Sequence, residues 1–330
     1  MDDRLQASAA PAASALAELA ALLEAEERRE VLPEVVAMAQ EVRRRHGDAV
    51  QAVLFYGSCL RRSYVDDGVL DFYAIVDSYR AAYASRILAL SNAALPPNVY
   101  YLEHAVGGRT LRMKYNVLSR ADFAAACRPE SLHAIVWARF CQPFAVVWAR
   151  DDQVRSTIAA DAAEAVLTMI SRMLALAPQA RTAEELWQAG FAATYGTELR
   201  TESDATIRSV YEAAPQRYGR VASLAMAELA RRGLASGAID GDGRIQGGLH
   251  GEAARSIARS WRRKLPVAKS LYAVRILKSA LTFGEWLPYA LWKLQRHTGV
   301  RIEPTERQRR HPLIWGWPVV LRLLLRQNLR

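Results

Sequence analysis

Apolar residues in the first 45 positions recur at helical spacing, as at Leu16, Leu19, Leu22 and Leu23. Leu32-Pro33 interrupts the pattern, so residues 13–45 are predicted as helix with a break there. Past Gly47-Asp48 the pattern becomes a short continuous apolar run, and a strand is predicted at 51–56. A turn or short helix follows from Ser58, then a second strand at 69–76. Residues 79–91 return to helical spacing, and Leu95-Pro96-Pro97-Asn98 ends it. Strands are predicted at 99–104 and 110–118, with Gly107-Gly108 as the hairpin turn between them. Ser119, with Asp122 three residues on, marks a helix start, and 145–148 adds a strand. From 153 the pattern is helical. Gly233 to Gly251 is glycine-rich and polar and reads as a linker.

This order predicts an α+β chain in four segments: N-terminal helices at 1–47, a mixed α/β domain at 48–150, a helical domain at 151–250, and a C-terminal extension at 251–330. An apolar fraction of 51% is enough to build a core. Cys59, Cys127 and Cys141 form no C-x-x-C pair, which excludes a sequence-evident zinc site or disulfide framework and favours a reducing compartment. Acidic residues at Asp2, Asp3, Glu18 and Glu24 argue against a targeting leader, and no uncharged window is long enough to span a bilayer.

Charge changes the picture in the last quarter. Residues 251–330 hold 17 Lys and Arg against 4 Asp and Glu, whereas the whole chain holds 44 against 34, so residues 1–250 are slightly acidic. Five of the eight tryptophans lie there too: Trp261, Trp286, Trp292, Trp315 and Trp317. A basic, Trp-rich amphipathic extension points to an anionic partner, either a membrane surface or nucleic acid.

The candidate chemistry lies in Tyr56-Gly57-Ser58, at the end of the first predicted strand, and Asp71, near the start of the second. A glycine turn offers backbone N–H groups to a phosphate, and a nearby carboxylate can hold the metal that neutralises it. Nucleotidyl transfer needs that pairing, further carboxylates and a cation. Strands of this kind, as in DNA polymerase β, carry Asp-x-Asp or Asp-x-Glu, but here the run is Asp71-Phe72-Tyr73. The second carboxylate has to come from elsewhere, and Asp66, Asp67, Asp77 and Glu198 are the candidates. Lys114 on a predicted strand and Arg139 among apolar neighbours are candidate phosphate partners. Tyr100 and Tyr101 point to opposite faces, so one packs in the core while the other can stack on a base.

Several ordered blocks resemble the mitochondrial-type phosphatidate cytidylyltransferases, the mitochondrial translocator assembly and maintenance protein family. They are Tyr56-Gly57-Ser58 with Leu70-Asp71-Phe72, Val99-Tyr100-Tyr101, Lys114 through Ser119, Ala138 through Pro143, Tyr195 through Arg200, and 254–279. The sequence departs from that pattern at Leu102-Glu103, at Gln142, and in the placing of Arg255 and Arg259. The resemblance implies a DNA polymerase β-like nucleotidyltransferase domain at 48–150. It also implies transfer of a cytidylyl group from CTP to phosphatidic acid, with Mg2+ as cofactor. The roles it implies are metal binding and catalysis for Asp71 and Glu198, with Lys114 also catalytic. Tyr56, Gly57, Ser58, Tyr101, Lys114 and Arg139 would bind nucleotide.

The extension would bring Arg255, Arg259, Arg262, Arg263, Lys264, Lys269, Trp315 and Trp317 to an anionic membrane surface. The expected location is cytoplasmic, peripheral on the inner face of the cell membrane. Two other readings remain: a nucleotidyltransferase acting on RNA or another phosphorylated acceptor, and a catalytically silent scaffold. Tryptophans beside Pro and Leu favour lipid over nucleic acid.

Overall fold

The computed structural model describes residues 14–62, 68–197, 203–282 and 305–306. The first half runs α1 (Ala15–Glu27), α2 (Pro33–His46), β1 (Val50–Tyr56), α3 (Ser58–Arg62), β2 (Val69–Val76), α4 (Tyr79–Ala82), α5 (Arg86–Ala94), β3 (Asn98–Val106) and β4 (Arg109–Ser119). It continues with α6 (Arg120–Cys127), α7 (Trp137–Phe140), β5 (Phe144–Ala149), α8 (Asp152–Leu176), α9 (Ala183–Tyr195), α10 (Asp204–Glu212) and α11 (Pro215–Arg231). A hairpin, β6 (Ala235–Ile239) and β7 (Ile245–Leu249), precedes the long helix α12 (Gly251–Thr282). The chain is α+β. It divides into two units, residues 31–119 with 273–330, and residues 1–30 with 120–272. The chain therefore crosses between units after residues 30, 119 and 272, inside the segments that the sequence pattern delimits.

In the unit containing 31–119 the strands run in the order β3-β4-β2-β1. β1 and β2 are antiparallel, as are β3 and β4, while β2 and β4 are parallel. The β3–β4 turn is Gly107-Gly108, both at positive φ (57° and 78°), the form that matches strand twist and suits glycine. One face of the sheet carries Phe55, Phe72, Tyr100 and Tyr115. His46, at the end of α2, packs on it with its Nε2 3.3 Å from the Tyr115 hydroxyl and its Nδ1 3.0 Å from the Ala82 carbonyl. Burial pulls the His46 pKa down. The helix expected at 79–91 is two pieces, because Ser78 and Ser85 each cap a new first turn, accepting from the Ala81 and Leu88 N–H groups.

The other unit is built around α8, whose residues from Ile158 to Leu174 are buried almost throughout. A helix buried on nearly every side belongs at the centre of its domain, and α1, α6, α7, α9 and α11 pack on it. Asp151 caps it by accepting from the Val154 N–H at 2.7 Å. The stretch 233–251, expected as a linker, forms the β6–β7 hairpin instead. Gly237 and Gly247 face each other in register at φ 89° and 100°, and a Cβ on either would collide with the opposite backbone. Glycine here allows two strands to approach rather than loosening a connection.

Candidate active site

β1 ends at Tyr56, and the chain turns at Gly57 with φ at 90°. An L side chain is strained there, and a Cβ would stand 3.1 Å from the Asp71 Oδ2. The glycine thus lets the turn close over the carboxylate. Ser58 follows, exposed, as the first residue of α3.

Strand register aligns the remaining groups. Tyr56 is opposite Asp71 on β2, Asp71 is beside Lys114 on β4, and Lys114 is opposite Tyr101 on β3. Paired residues share a sheet face, so these four form a row across four strands. The Lys114 Nζ is 3.0 Å from the Asp71 Oδ1, an ion pair between side chains 34% and 23% exposed, which leaves both within reach of a ligand. Oδ1 is buried and has no hydrogen bond of good geometry, so the ammonium holds it by charge rather than by an aligned N–H.

Neighbouring groups hold the row in place. The Asn116 Nδ2 donates to the Phe72 carbonyl at 3.2 Å and to the Tyr56 hydroxyl at 3.4 Å. The Tyr101 hydroxyl donates to the Glu103 Oε1 at 2.7 Å, and the Arg112 Nε donates to the same oxygen at 3.1 Å. Tyr73 stands where a second strand carboxylate would be. It is buried, its ring 5.5 Å from that of Tyr56, so this position serves packing. Tyr101 is also buried, and Tyr100, on the opposite face, stacks on Tyr115 at 5.2 Å.

The structure thus brings together Tyr56, Gly57, Asp71, Lys114 and Tyr101 within one unit. Arg139, on α7 of the other unit, donates from Nη1 to the Ile135 carbonyl at 2.7 Å. Arg255, Arg259, Arg262, Arg263 and Lys269 are exposed on α12. Lys264 is half-buried, its Nζ 2.8 Å from the Glu130 carbonyl. Asp77 is exposed beyond the far end of β2. Glu198, Asp66, Asp67, Trp315 and Trp317 lie outside the described residues.

The roles of Glu103, Arg112 and Asn116 do not emerge from motif reading. The signal for the last two is the alternation Arg112-Met113-Lys114-Tyr115-Asn116-Val117, which places every second residue on the face of Asp71. Among the described residues no group of three or more His, Cys, Asp or Glu side chains could enclose a metal ion. Asp71 fits as one ligand: its Oδ1 is a buried oxygen without a hydrogen bond, already beside a cation.

No family model matches the chain, and no curated protein matches it. Among solved structures it is similar to a nucleotidyltransferase-like protein from Exiguobacterium sibiricum, at 9% identity over 89% of this chain and 92% of that one, with a TM-score of 0.27. A likeness of that size carries no argument, so function is argued from the row of residues on the sheet.

Proposed function

We propose that the chain is a nucleotidyltransferase that moves the cytidylyl group of CTP to phosphatidate, giving CDP-diacylglycerol and pyrophosphate. The observation that supports the class of reaction is the Gly57 turn closing on an Asp71–Lys114 pair in one sheet row. The ordered blocks that resemble phosphatidate cytidylyltransferases support the choice of substrates.

In this reading the Gly57-Ser58 turn receives the triphosphate. Lys114 moves its charge from Asp71 to the phosphates, because a polyanion outcompetes a single carboxylate for an ammonium. A phosphatidate oxygen then attacks the α-phosphorus of CTP. A new P–O bond forms, the bond to the bridging oxygen breaks, and pyrophosphate leaves with its electron pair. The attacking oxygen is already anionic, so positioning and charge rather than proton abstraction are what the protein supplies. Asp71 would hold Mg2+, with Glu198 as the proposed second ligand. The ion would offset charge on the triphosphate.

Among the described residues no helix is long and apolar enough to cross a membrane. The exposed arginines of α12 support a peripheral placement on the cytoplasmic face of the cell membrane, where an insoluble acceptor can be met.

The test is purified full-length protein with labelled CTP, magnesium and phosphatidate vesicles. Label is expected in the lipid phase, and Asp71→Asn should lower its rate at least a hundredfold. Unchanged turnover in Asp71→Asn would remove Asp71 from the chemistry. Unlabelled ATP, GTP and UTP as competitors define base choice. A second reading, a silent nucleotide-binding scaffold, is favoured by the single carboxylate in the described row. It predicts CTP binding with no lipid label.

A further inference from the structure

A small cavity lies within the unit containing 120–272, among residues to which the reading above gives no nucleotide role. Trp137, Arg172, Trp261 and Lys264 line it, together with Ser131 and His133. Its volume is about 10 Å³, room for roughly one water-sized group. Half-exposed Ser131, His133 and Trp261 among its walls leave it unsealed from solvent.

The unusual member is Arg172. It is 3% exposed, yet among the described residues no carboxylate lies within ion-pair distance of it. Its guanidinium sits beside an edge-to-face pair of indoles, 5.3 Å from the Trp137 ring and 5.6 Å from the Trp261 ring, the two rings being 6.2 Å apart. Its Nη2 donates to the Pro129 carbonyl. Its Nε is buried and has no acceptor, and the indole Nε1 of Trp137, also buried, has none either. Beside it, Lys264 reaches the carbonyls of Pro129, Glu130 and Ser131 at 3.3, 2.8 and 3.4 Å, so a second positive charge is fixed at the same wall. Burial lowers the pKa of Arg172 to about 10, partly offset by Glu130; burial and then Arg172 lower that of Lys264. The Arg172 shift expresses the cost of keeping its charge away from water; that of Lys264 also includes repulsion from Arg172.

Cation–π contacts return only part of the cost of burying a charge, and one carbonyl satisfies one N–H. Those terms leave two buried N–H donors without acceptors and the buried Arg172 charge without a counter-ion, while Lys264, half-exposed, is partly solvated. A water could accept both donors but would neutralise neither cation. An anionic oxygen does both. A phosphate monoester is a dianion near neutral pH, and its charge matches the Arg172 and Lys264 pair.

We propose that this cavity and its open mouth form a phosphate-monoester subsite: one phosphate oxygen enters the cavity and accepts from the Arg172 Nε and the Trp137 Nε1, the rest of the group stays at the mouth, and Lys264 supplies the second charge. The phosphate belongs to a lipid headgroup or to a soluble ester. The subsite uses neither Asp71 nor Lys114, and it is read in the absence of nucleotide, so its failure is distinct from failure of the transfer reaction.

The test is calorimetric titration of the full-length protein with inorganic phosphate, without nucleotide. Wild type is expected to bind saturably at one site. Arg172→Met should weaken binding tenfold or more, while Arg208→Gln, an exposed change on α10, leaves it within twofold. Should Arg172→Met not fold, Trp137→Phe keeps a ring in the stack and removes one donor, with an expected loss of three- to tenfold. A parallel arm uses phosphatidylcholine vesicles containing either phosphatidate, a monoester, or phosphatidylglycerol, a diester. If the source is lipid, Arg172→Met loses tenfold on phosphatidate vesicles and less than twofold on phosphatidylglycerol vesicles. If the source is soluble, only the phosphate titration responds to Arg172. Absence of saturable phosphate binding by wild type, together with vesicle binding indifferent to Arg172, would overturn the proposal and leave Arg172 as a structural cation packed on two indoles.

Discussion

Lys114 and Asp71 stand side by side on parallel strands with their charged atoms 3.0 Å apart, beneath a glycine turn that only a residue without a Cβ can make without strain. Each charge offsets the other until a ligand arrives, so a phosphate-bearing ligand and a cation can displace both partners together. In the proposed reaction Lys114→Met keeps the aliphatic stem but removes that exchange. The nucleotide KM is expected to rise at least tenfold. Steady-state kinetics checks this, and an unchanged KM would separate Lys114 from the triphosphate.

Gly57→Ala tests the turn itself. A φ of 90° costs an L residue about 1–2 kcal/mol, and the new methyl would stand 3.1 Å from the Asp71 Oδ2. Denaturant unfolding should show that loss of stability. Transfer activity should fall further than the folded fraction does, because the methyl also displaces the carboxylate.

The two units share a charged device. Glu41 is clamped by Arg44 and Arg45, and Glu228 by Arg231 and Arg232, each carboxylate buried and each arginine one helical turn on. Hydrogen bonds from Arg44 and from Arg231 are the largest favourable causes that draw both carboxyls from 4.5 down to about 2. Their folded pKa values lie below the unfolded ones, so the stabilisation is present above about pH 4.5 and is lost as pH falls towards 2. The arginines are more than a third exposed and screened by solvent, so each clamp stabilises only modestly. Glu41→Gln and Glu228→Gln should each lower stability at pH 7 and approach wild type as pH falls below about 2. Urea melts across that range measure it.

The exposed face of α12 carries Arg255, Arg259, Arg262 and Arg263. Near an anionic bilayer each basic residue contributes about 1 kcal/mol. Changing all four to Gln should reduce sedimentation with phosphatidylglycerol vesicles by about a hundredfold or more, with no change on neutral vesicles. Removing residues 311–330, which hold Trp315 and Trp317, should weaken the same binding. Equal sedimentation of both variants and wild type would remove the membrane from the proposal.

Much of this molecule is legible in its sequence, for a local reason. A continuous apolar run at 69–76 and alternation along 110–118, with Gly or Pro at the ends of the strands, mark β2 and β4: a strand buried on both faces is apolar throughout, and one buried on a single face repeats every two residues. The same rule splits Tyr100 from Tyr101. Gly57 and Asp71 stand out only together with the ordered blocks that follow them, because a glycine turn before a strand carboxylate is by itself a common surface feature. The glycines of 233–251 mislead for the opposite reason. Composition marks glycine as flexible, whereas its use at Gly237 and Gly247 depends on a strand across the way.

What the sequence by itself determined is therefore the inventory: which segments are strands and helices, where the basic charge gathers, and which residues could touch a phosphate. Only the tertiary structure decided the pairings. A parallel crossover places Lys114 against Asp71, Tyr73 is packed against Tyr56, and Arg172 meets a pair of tryptophans from distant helices. Periodicity fixes the face a residue occupies, but register and burial arise from contacts between segments far apart in the chain, and those set what each charged group can do.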